Sequence, residues 1–246
     1  MKLIEATWEK RNLNVNTLEI EFEEDDSFES EELKLISEKI NELGAKYIVA
    51  KIPTGRTEIV RNLQKQGFEY IENQIMMTYK SKDITQSIEK FEKISKGTCE
   101  YIDSEEQIQN IIDEVRKGIF DTDRISKDIY FNQEIANNRY ANWIMDEYTR
   151  KSNFYLVKKF NKVIGFFIEH RNGTISQGVL GGLFKEFKFS GLGYYWFSSI
   201  LSQLAKDGVK QIKCPVSSNN IDIIKLHEYL GAKIISIEVV LIKHIN

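Results

Sequence analysis

Residues 188–193 read Lys-Phe-Ser-Gly-Leu-Gly and lie between a predicted strand, Thr174 to Phe184, and a predicted apolar-faced helix, Tyr194 to Lys206. Two glycines allow the backbone to curl, so that successive N–H groups and the helix N-terminus face one anion, such as a pyrophosphate. A Gly-x-Gly before a helix is more often only a tight turn. The loop therefore predicts a phosphate site only together with the elements around it.

The elements on either side follow a specific order, β-α-α-β-β-β-α-β-α-β. Ser104 and Gln107 have capping-box spacing and predict the start of the first helix. The other predicted elements are a strand at 98–102, a helix at 133–146, strands at 154–160 and 163–170, and, after the loop and its helix, a strand at 209–216, a helix at 221–230 and a strand at 233–245. This order predicts an α/β (α+β) fold with a mixed sheet.

Two motifs in this order resemble the GNAT superfamily of acyl-CoA-dependent N-acetyltransferases. The family's Gln/Arg-x-x-Gly-x-Gly/Ala loop corresponds to residues 188–193, with Lys188 in the first place. Its pattern Asn-x-x-Ala-x-x-Leu-Tyr-x-x-x-Gly-Phe corresponds to residues 220–232, which read Asn-Ile-Asp-Ile-Ile-Lys-Leu-His-Glu-Tyr-Leu-Gly-Ala. The resemblance covers residues 98–246 and implies the GNAT fold, with acetyl-CoA as co-substrate.

The resemblance also implies where acyl-CoA binds. The strand Gly178 to Phe184 should splay from the strand Val209 to Val216, so that free backbone groups pair with the pantetheine amides. The N–H groups of residues 189–194 should hold the pyrophosphate, and Asn220 should lie near the pantetheine arm or act simply as a helix N-cap. The residues assigned to acyl-CoA are Leu183, Phe184, Lys188, Phe189, Ser190, Gly191, Leu192, Gly193, Tyr194 and Asn220.

Two residues are candidates for proton transfer. His227 occupies the place of the family's tyrosine, where an imidazolium could protonate the leaving thiolate, or it is only a tolerated replacement on a half-buried helix face. Glu169 ends the middle strand of the meander and is a candidate base, although a charged strand end is usually just solvated.

An aromatic-rich stretch between the first two helices of this region is a candidate acceptor pocket. Its Asp123-Arg-Ile-x-x-Asp128 stretch, followed by Tyr140-x-x-Trp143-Ile, resembles the TDP-fucosamine (TDP-4-amino-4,6-dideoxygalactose) acetyltransferases. The resemblance implies a nucleotide-linked amino sugar as the amine acceptor. Arg124 could then meet the diphosphate, and Tyr130 or Trp143 could stack on the thymine or the sugar. Alternatively, Arg124 pairs with Asp128 and Trp143 belongs to the core.

The chain also contains an internal repeat. An offset of 164 positions aligns Gly44 with Gly208 and Gly67 with Gly231 without an insertion, and the helix-strand-helix-strand order coincides. Residues 1–82 are therefore predicted to form a truncated GNAT-like domain without a glycine loop, and 98–246 the catalytic domain. The charged segment from Ser81 to Gly97 is predicted to be a connector or a surface segment, and the connector between the two domains is placed at residues 83–97.

The composition of the chain argues against several classes of partner and cofactor. The 246 residues have 34 Lys plus Arg against 37 Asp plus Glu, and this net charge of −3 argues against nucleic acid and anionic membranes as partners. With two cysteines and three histidines, neither a disulfide framework nor a metal site is expected, and the protein is predicted to be soluble and cytoplasmic. The last strand could pair across a homodimer. The alternative function is a non-catalytic acyl-CoA sensor or partner-binding protein.

Overall fold

The structure is a computed structural model that describes residues 1–91 and 98–245. In these residues a single ten-stranded mixed sheet has the strand order β1-β2-β3-β10-β4-β9-β8-β7-β6-β5. The strands are Lys2–Glu5 (β1), Thr17–Glu21 (β2), Tyr47–Pro53 (β3), Glu69–Lys80 (β4), Thr98–Ile102 (β5), Asn153–Lys159 (β6), Lys162–Asn172 (β7), Ile175–Leu183 (β8), Gln211–Ser217 (β9) and Lys233–His244 (β10). The helices are Thr7–Leu13 (α1), Ser30–Leu43 (α2), Thr57–Lys65 (α3), Ser81–Phe91 (α4), Glu105–Arg116 (α5), Arg124–Lys127 (α6), Gln133–Thr149 (α7), Gly193–Lys206 (α8) and Ile221–Tyr229 (α9).

The predicted mixed α/β architecture is confirmed, including the meander β6-β7-β8 and the helix after the glycine loop. Ser104 caps α5 as predicted, because its Oγ accepts a hydrogen bond from the Gln107 N–H at 3.3 Å. The sequence analysis did not anticipate α1, which follows the first strand directly.

Residues 83–91, which the sequence analysis expected to be a connector, belong to helix α4. That prediction was therefore wrong for these residues. In α4, Ile84 is buried, and the helix packs against α8 of the second half. Ser87 is also buried and its hydroxyl donates to a backbone carbonyl of the second half. The rest of the predicted connector, residues 92–97, lies outside the described residues.

The internal repeat is reproduced in the structure. β3, α3 and β4 begin and end 164 positions before β9, α9 and β10, with no shift at either end. The repeat is therefore a repeated β-α-β unit, as the offset in the sequence predicts.

The two repeats exchange their last strands within the sheet. β10 lies between β3 and β4, and β4 lies between β10 and β9. At the centre of the exchange Gln74 faces Glu238, its own counterpart 164 residues later. Gln74 also pairs with Ser217, and Glu238 with Pro53, which is the counterpart of Ser217. The halves therefore meet about a pseudo-twofold axis, and both ladder edges of β10 are occupied within the chain.

The two halves differ in the parallel pair that precedes the repeated unit. β2 and β3 pair over five positions, from Thr17–Tyr47 to Glu21–Lys51. β8 and β9 pair over three positions and the last pair is Gln177–Lys213. The sheet is therefore closed in the first half and opens in the second.

Helices of the second half also cover strands of the first half. Ile125 of α6 and Ala136 of α7 are buried against Tyr47 and Val49 of β3 and Val240 of β10. This packing places the segment around Arg124 over the boundary between the two halves of the sheet.

Candidate active site

The opening between β8 and β9 contains a cavity of about 230 Å³, called here the central cavity, lined by residues 178–181 and 214–217 among others. The ladder between β7 and β8 also shifts register there, so that Val179 is an extra residue in β8. Pro215 of β9 has no N–H to offer to a ladder. Because the ladder between β8 and β9 ends at the pair Gln177–Lys213, backbone groups of both strands beyond that pair are available to a ligand inserted between them.

The glycine loop follows β8 and a short 3₁₀ turn, and it ends at α8. Phe189 and Gly191 have positive φ values of 81° and 75°, so the loop backbone curls as expected. The Ser190 hydroxyl accepts a hydrogen bond from the Leu192 N–H at 3.3 Å, and no side chain caps the N-terminus of α8. Curled backbone that leads to an uncapped helix N-terminus is suited to an anion.

A second cavity of about 520 Å³, the loop cavity, adjoins this loop. Seven of the ten residues assigned to acyl-CoA line it: Leu183, Lys188, Phe189, Gly191, Gly193, Tyr194 and Asn220. Phe184 is half-buried and packs against the core beside Phe166, while Ser190 and Leu192 shape the loop. The Lys188 ammonium lies 2.8 Å from Asp121, so its charge is partly compensated.

Asn220 caps α9, since its Oδ1 accepts a hydrogen bond from the Ile223 N–H at 3.2 Å. The capping role considered in the sequence analysis is therefore present. Asn220 also lines both the loop cavity and the central cavity. Its contact with pantetheine stays a prediction.

His227 lines the central cavity but is almost fully buried. Its Nδ1 shares a 2.7 Å hydrogen bond with the Tyr79 hydroxyl, and its ring lies 4.6 Å from that of Phe197. Burial lowers the pKa of His227 to about 4. At neutral pH the ring is uncharged, so the imidazolium acid proposed from the sequence is a minor species. Any proton that His227 donates must come from the neutral ring.

Glu169 does not lie in the cavities around the glycine loop. Its buried carboxylate accepts hydrogen bonds from Arg171 Nε at 3.0 Å, from Tyr155 and from Asn153. Neighbouring residues of a strand point to opposite faces of the sheet, and His170 points to the cavity side. The role of base proposed for Glu169 is therefore not supported by its position.

A third cavity of about 480 Å³ lies between the two halves and is called the inter-half cavity. The first half contributes Trp8, Asn12, Glu19, Lys51, Glu72 and Gln74 to its lining. The second half contributes Arg124, Arg139, Trp143, Asp146, Glu147, Arg150, His170, residues 177–179, Pro215 and Val240. Lining residues shared between neighbouring cavities connect the loop cavity, through the central cavity, with the inter-half cavity.

The three predicted acceptor residues have different outcomes. Trp143 lines the inter-half and central cavities, and its Nε1–H donates to Glu147 at 3.1 Å. Arg124 also lines both cavities, but it pairs with Glu9 and Glu19 of the first half. The alternative pairing of Arg124 with Asp128 was wrong, because Asp128 bonds to His244 at 2.8 Å.

Tyr130 lies outside the three cavities. It is 62% exposed and stacks on His244 with 4.2 Å between the ring centroids. The expected contact of Tyr130 with an acceptor in this site is therefore not supported.

The sequence analysis missed Glu72, a buried carboxylate of β4 that lines both the inter-half and the central cavity. It accepts a hydrogen bond from the Ser217 hydroxyl, and burial raises its pKa above the ordinary value. The available signal was a pair of polar residues, Glu72 and Gln74, on one face of β4.

Among residues 1–91 and 98–245, no three or more His, Cys, Asp or Glu side chains come together in a group that could hold a metal ion. None of the helices in these ranges has the length and apolar character required to cross a bilayer.

No family model matches the chain, and no curated protein sequence matches it. Solved structures are similar to it in fold. A conserved protein of unknown function from Staphylococcus epidermidis has a TM-score of 0.66 at 10% identity, over 93% of this chain and 84% of its own. A GCN5-related N-acetyltransferase from Sphaerobacter thermophilus has a TM-score of 0.63 at 9% identity, over 99% of this chain and 75% of its own.

A tandem GNAT protein from the clavulanic acid biosynthesis pathway is similar in fold as well. It has a TM-score of 0.56 at 9% identity, over 93% of this chain and 75% of its own. At such identities the likeness concerns the fold. The chain therefore has the GNAT acetyltransferase fold, in which a truncated GNAT-like half precedes a complete one.

Proposed function

We propose that this protein is an acyl-CoA-dependent N-acetyltransferase that transfers an acetyl group from acetyl-CoA to a primary amine. The observation that carries the proposal is the parallel pair β8–β9, which opens beside the curled glycine loop. The first half lacks this combination. Its corresponding pair is closed, and the segment after β2 contains Glu23, Glu24, Asp25 and Asp26, which would repel a pyrophosphate.

The residues of the second half have distinct tasks in this proposal. The loop N–H groups and the start of α8 bind the pyrophosphate, and the open edges of β8 and β9 pair with the pantetheine amides. The extra residue Val179 brings backbone that is not committed to the ladder into the central cavity, where an acyl carbonyl oxygen needs a donor. The thioester would then point toward the inter-half cavity, from which the amine approaches.

A nucleotide-linked amino sugar remains a candidate acceptor on the basis of the sequence resemblance alone. A diphosphate needs cations that are free to bind it. Arg124, Arg139 and Lys51 in the inter-half cavity each pair with a carboxylate, and so does Arg150. The geometry therefore favours the amine itself, rather than a diphosphate, as the feature that the cavity recognises.

The second candidate function is a non-catalytic acyl-CoA-binding protein. The burial of His227 favours it, because the side chain at the place of the family's tyrosine is already hydrogen-bonded to the buried Tyr79 hydroxyl. Release of CoA thiol in the presence of an amine separates the two functions, since a sensor binds acetyl-CoA without consuming it.

The test combines binding with turnover. Calorimetry measures acetyl-CoA binding to the full chain, and thiol release is then followed with benzylamine, tyramine, glucosamine, spermidine and a TDP-amino sugar. The proposal predicts saturable acetyl-CoA binding together with amine-dependent thiol release. Absence of acetyl-CoA binding refutes both functions, and binding without release by any amine favours the sensor.

A further inference from the structure

The inter-half and central cavities meet at a junction to which both halves of the chain contribute. Eight residues line both cavities, and Glu72 and Gln74 come from the first half. Three of the eight are ionisable: Glu72, Arg124 and Arg139. Glu72 therefore places a carboxyl group at the point where an amine in the inter-half cavity would meet a thioester in the central cavity.

The two arginines at the junction already have partners. Arg124 Nη2 lies 3.1 Å from Glu9 and 3.0 Å from Glu19, and Arg139 binds Glu9 with its Nε and Nη2 atoms. Glu9 is fully buried behind the cavity. The positive charge of the junction is therefore balanced from the first half, and this leaves Glu72 without an ion pair among the described residues.

The other carboxylates of the inter-half cavity are engaged. Glu147 accepts hydrogen bonds from four side chains, Glu19 pairs with Arg124 and Lys51, and Asp146 binds both terminal nitrogens of Arg11. Glu72 differs from them, because its side-chain donor is the neutral Ser217 hydroxyl. A buried carboxylate without a cationic partner is costly unless it is protonated or gains a cation.

We infer that Glu72, which the first half supplies, binds the acceptor as an ammonium ion and removes the proton that blocks its attack. This inference rests on the proposed function and names the substrate class for the site as a cationic primary amine. It also gives the truncated half a chemical role, because the carboxylate comes from β4, the strand that inserts between β10 and β9.

The proton and electron balance of the step is complete without a further reactant. The ammonium gives one proton to the Glu72 carboxylate, and the lone pair on nitrogen forms the C–N bond with the acetyl carbonyl carbon. When the C–S bond breaks, its electron pair stays on sulfur, and the second N–H proton passes to the thiolate. Glu72 then releases its proton to water, so that amide, CoA thiol and one proton are the products.

The surroundings of Glu72 make it a stronger base than an ordinary carboxylate. Burial is the largest influence and raises its pKa, as does Asp123, whereas the Ser217 hydroxyl and the Arg124 charge lower it. The other neighbours are Tyr140, whose hydroxyl stays protonated, and Val240 opposite Glu72 in β10. A carboxyl group with a raised pKa still ionises when an ammonium ion enters, and this is the property a general base needs.

The test compares Glu72→Gln with the matched control Glu69→Gln, which removes an exposed charge from the same strand outside the three cavities. The probes are benzylamine, which is cationic at neutral pH, and O-benzylhydroxylamine, which is of similar shape but neutral. Calorimetry with acetyl-CoA is performed first on all three proteins. Thiol release and ligand-induced thermal shifts, in the presence of CoA, are then measured for both probes.

The inference predicts equal acetyl-CoA affinity in all three proteins. It predicts a loss of about 100-fold or more in kcat/KM for benzylamine in Glu72→Gln, a smaller loss for O-benzylhydroxylamine, and partial recovery of the benzylamine rate at alkaline pH. A loss caused only by altered packing would affect both probes alike. Any of three results overturns the inference. The first is an equal benzylamine rate in Glu72→Gln and Glu69→Gln, and the second is an equal loss of rate for the two probes in Glu72→Gln. The third is a wild type that neither binds nor acetylates benzylamine. Lack of acetyl-CoA binding overturns the proposed function instead.

Discussion

Removal of the first half should destroy the fold of the second, because the halves exchange strands. In a fragment of residues 98–246, β10 has lost both of its neighbours, β3 and β4, and β9 has lost β4. The perturbation therefore removes every ladder that β10 makes in the described structure, although the fragment keeps the glycine loop and all the acyl-CoA residues.

The magnitude follows from burial in β10. Val240, Leu241 and Ile242 are at most 5% exposed, against strands and helices that include β3 and β4. Each such side chain contributes roughly 1.5–3 kcal/mol when fully buried, so these three alone amount to roughly 5–9 kcal/mol. A typical domain is stable by only about 5–15 kcal/mol. The fragment should therefore not hold β10 in place.

Size-exclusion chromatography and near-ultraviolet circular dichroism test this expectation. The fragment 98–246 should aggregate or lack a cooperative thermal transition. Co-expression with residues 1–91 as a separate chain should restore both the transition and any acetyl-CoA binding. A monomeric fragment that melts within about 3 °C of the full chain would contradict this expectation, since β10 must then pair directly with β9.

Three further predictions concern the loop, the buried histidine and the buried ion pairs. Gly191→Val should abolish acetyl-CoA binding measured by calorimetry. The control is Gly208→Val, because Gly208 has a similar positive φ and equally little around an added Cβ. This variant should show the same backbone strain but still bind acetyl-CoA. His227 has a pKa of about 6.5 in the unfolded state and about 4 in the folded state, because burial disfavours the charged ring. Denaturant titrations should therefore show the free energy of unfolding falling by about 3 kcal/mol as pH drops from about 6.5 to about 4. The variant His227→Tyr should lack this pH dependence. Glu9→Gln should destabilise the protein by about 3–5 kcal/mol because it leaves two buried guanidinium groups undercompensated, whereas the exposed Glu5→Gln should melt like the wild type.

Local signals were sufficient to predict much of the second half from the sequence. The cap at Ser104, the positive φ of Gly191 and the two glycine-containing motifs depend on neighbouring residues in the chain. The repeat with an offset of 164 was also predictable, because the bounds of β3, α3 and β4 recur at this offset in β9, α9 and β10. The neighbours of β10 were not predictable in this way, since strand order depends on contacts far apart in sequence.

The errors in the site have a similar cause. Glu169 and His170 differ by one position, and the parity of the strand decides which of them meets the cavity. The partners of Arg124 come from α1 and β2, more than 100 residues away. Glu72 was overlooked because its strand belongs to the half without a glycine loop, and only the exchange of strands brings it to the site.

A crystal structure of the full chain with CoA would show whether the ligand binds between β8 and β9. We expect the pantetheine arm between residues 178–183 and 214–217, the pyrophosphate at residues 189–194, and the thiol in the central cavity toward Glu72. Binding of CoA at any other place in the chain, with β8 and β9 left without a ligand between them, would contradict this expectation.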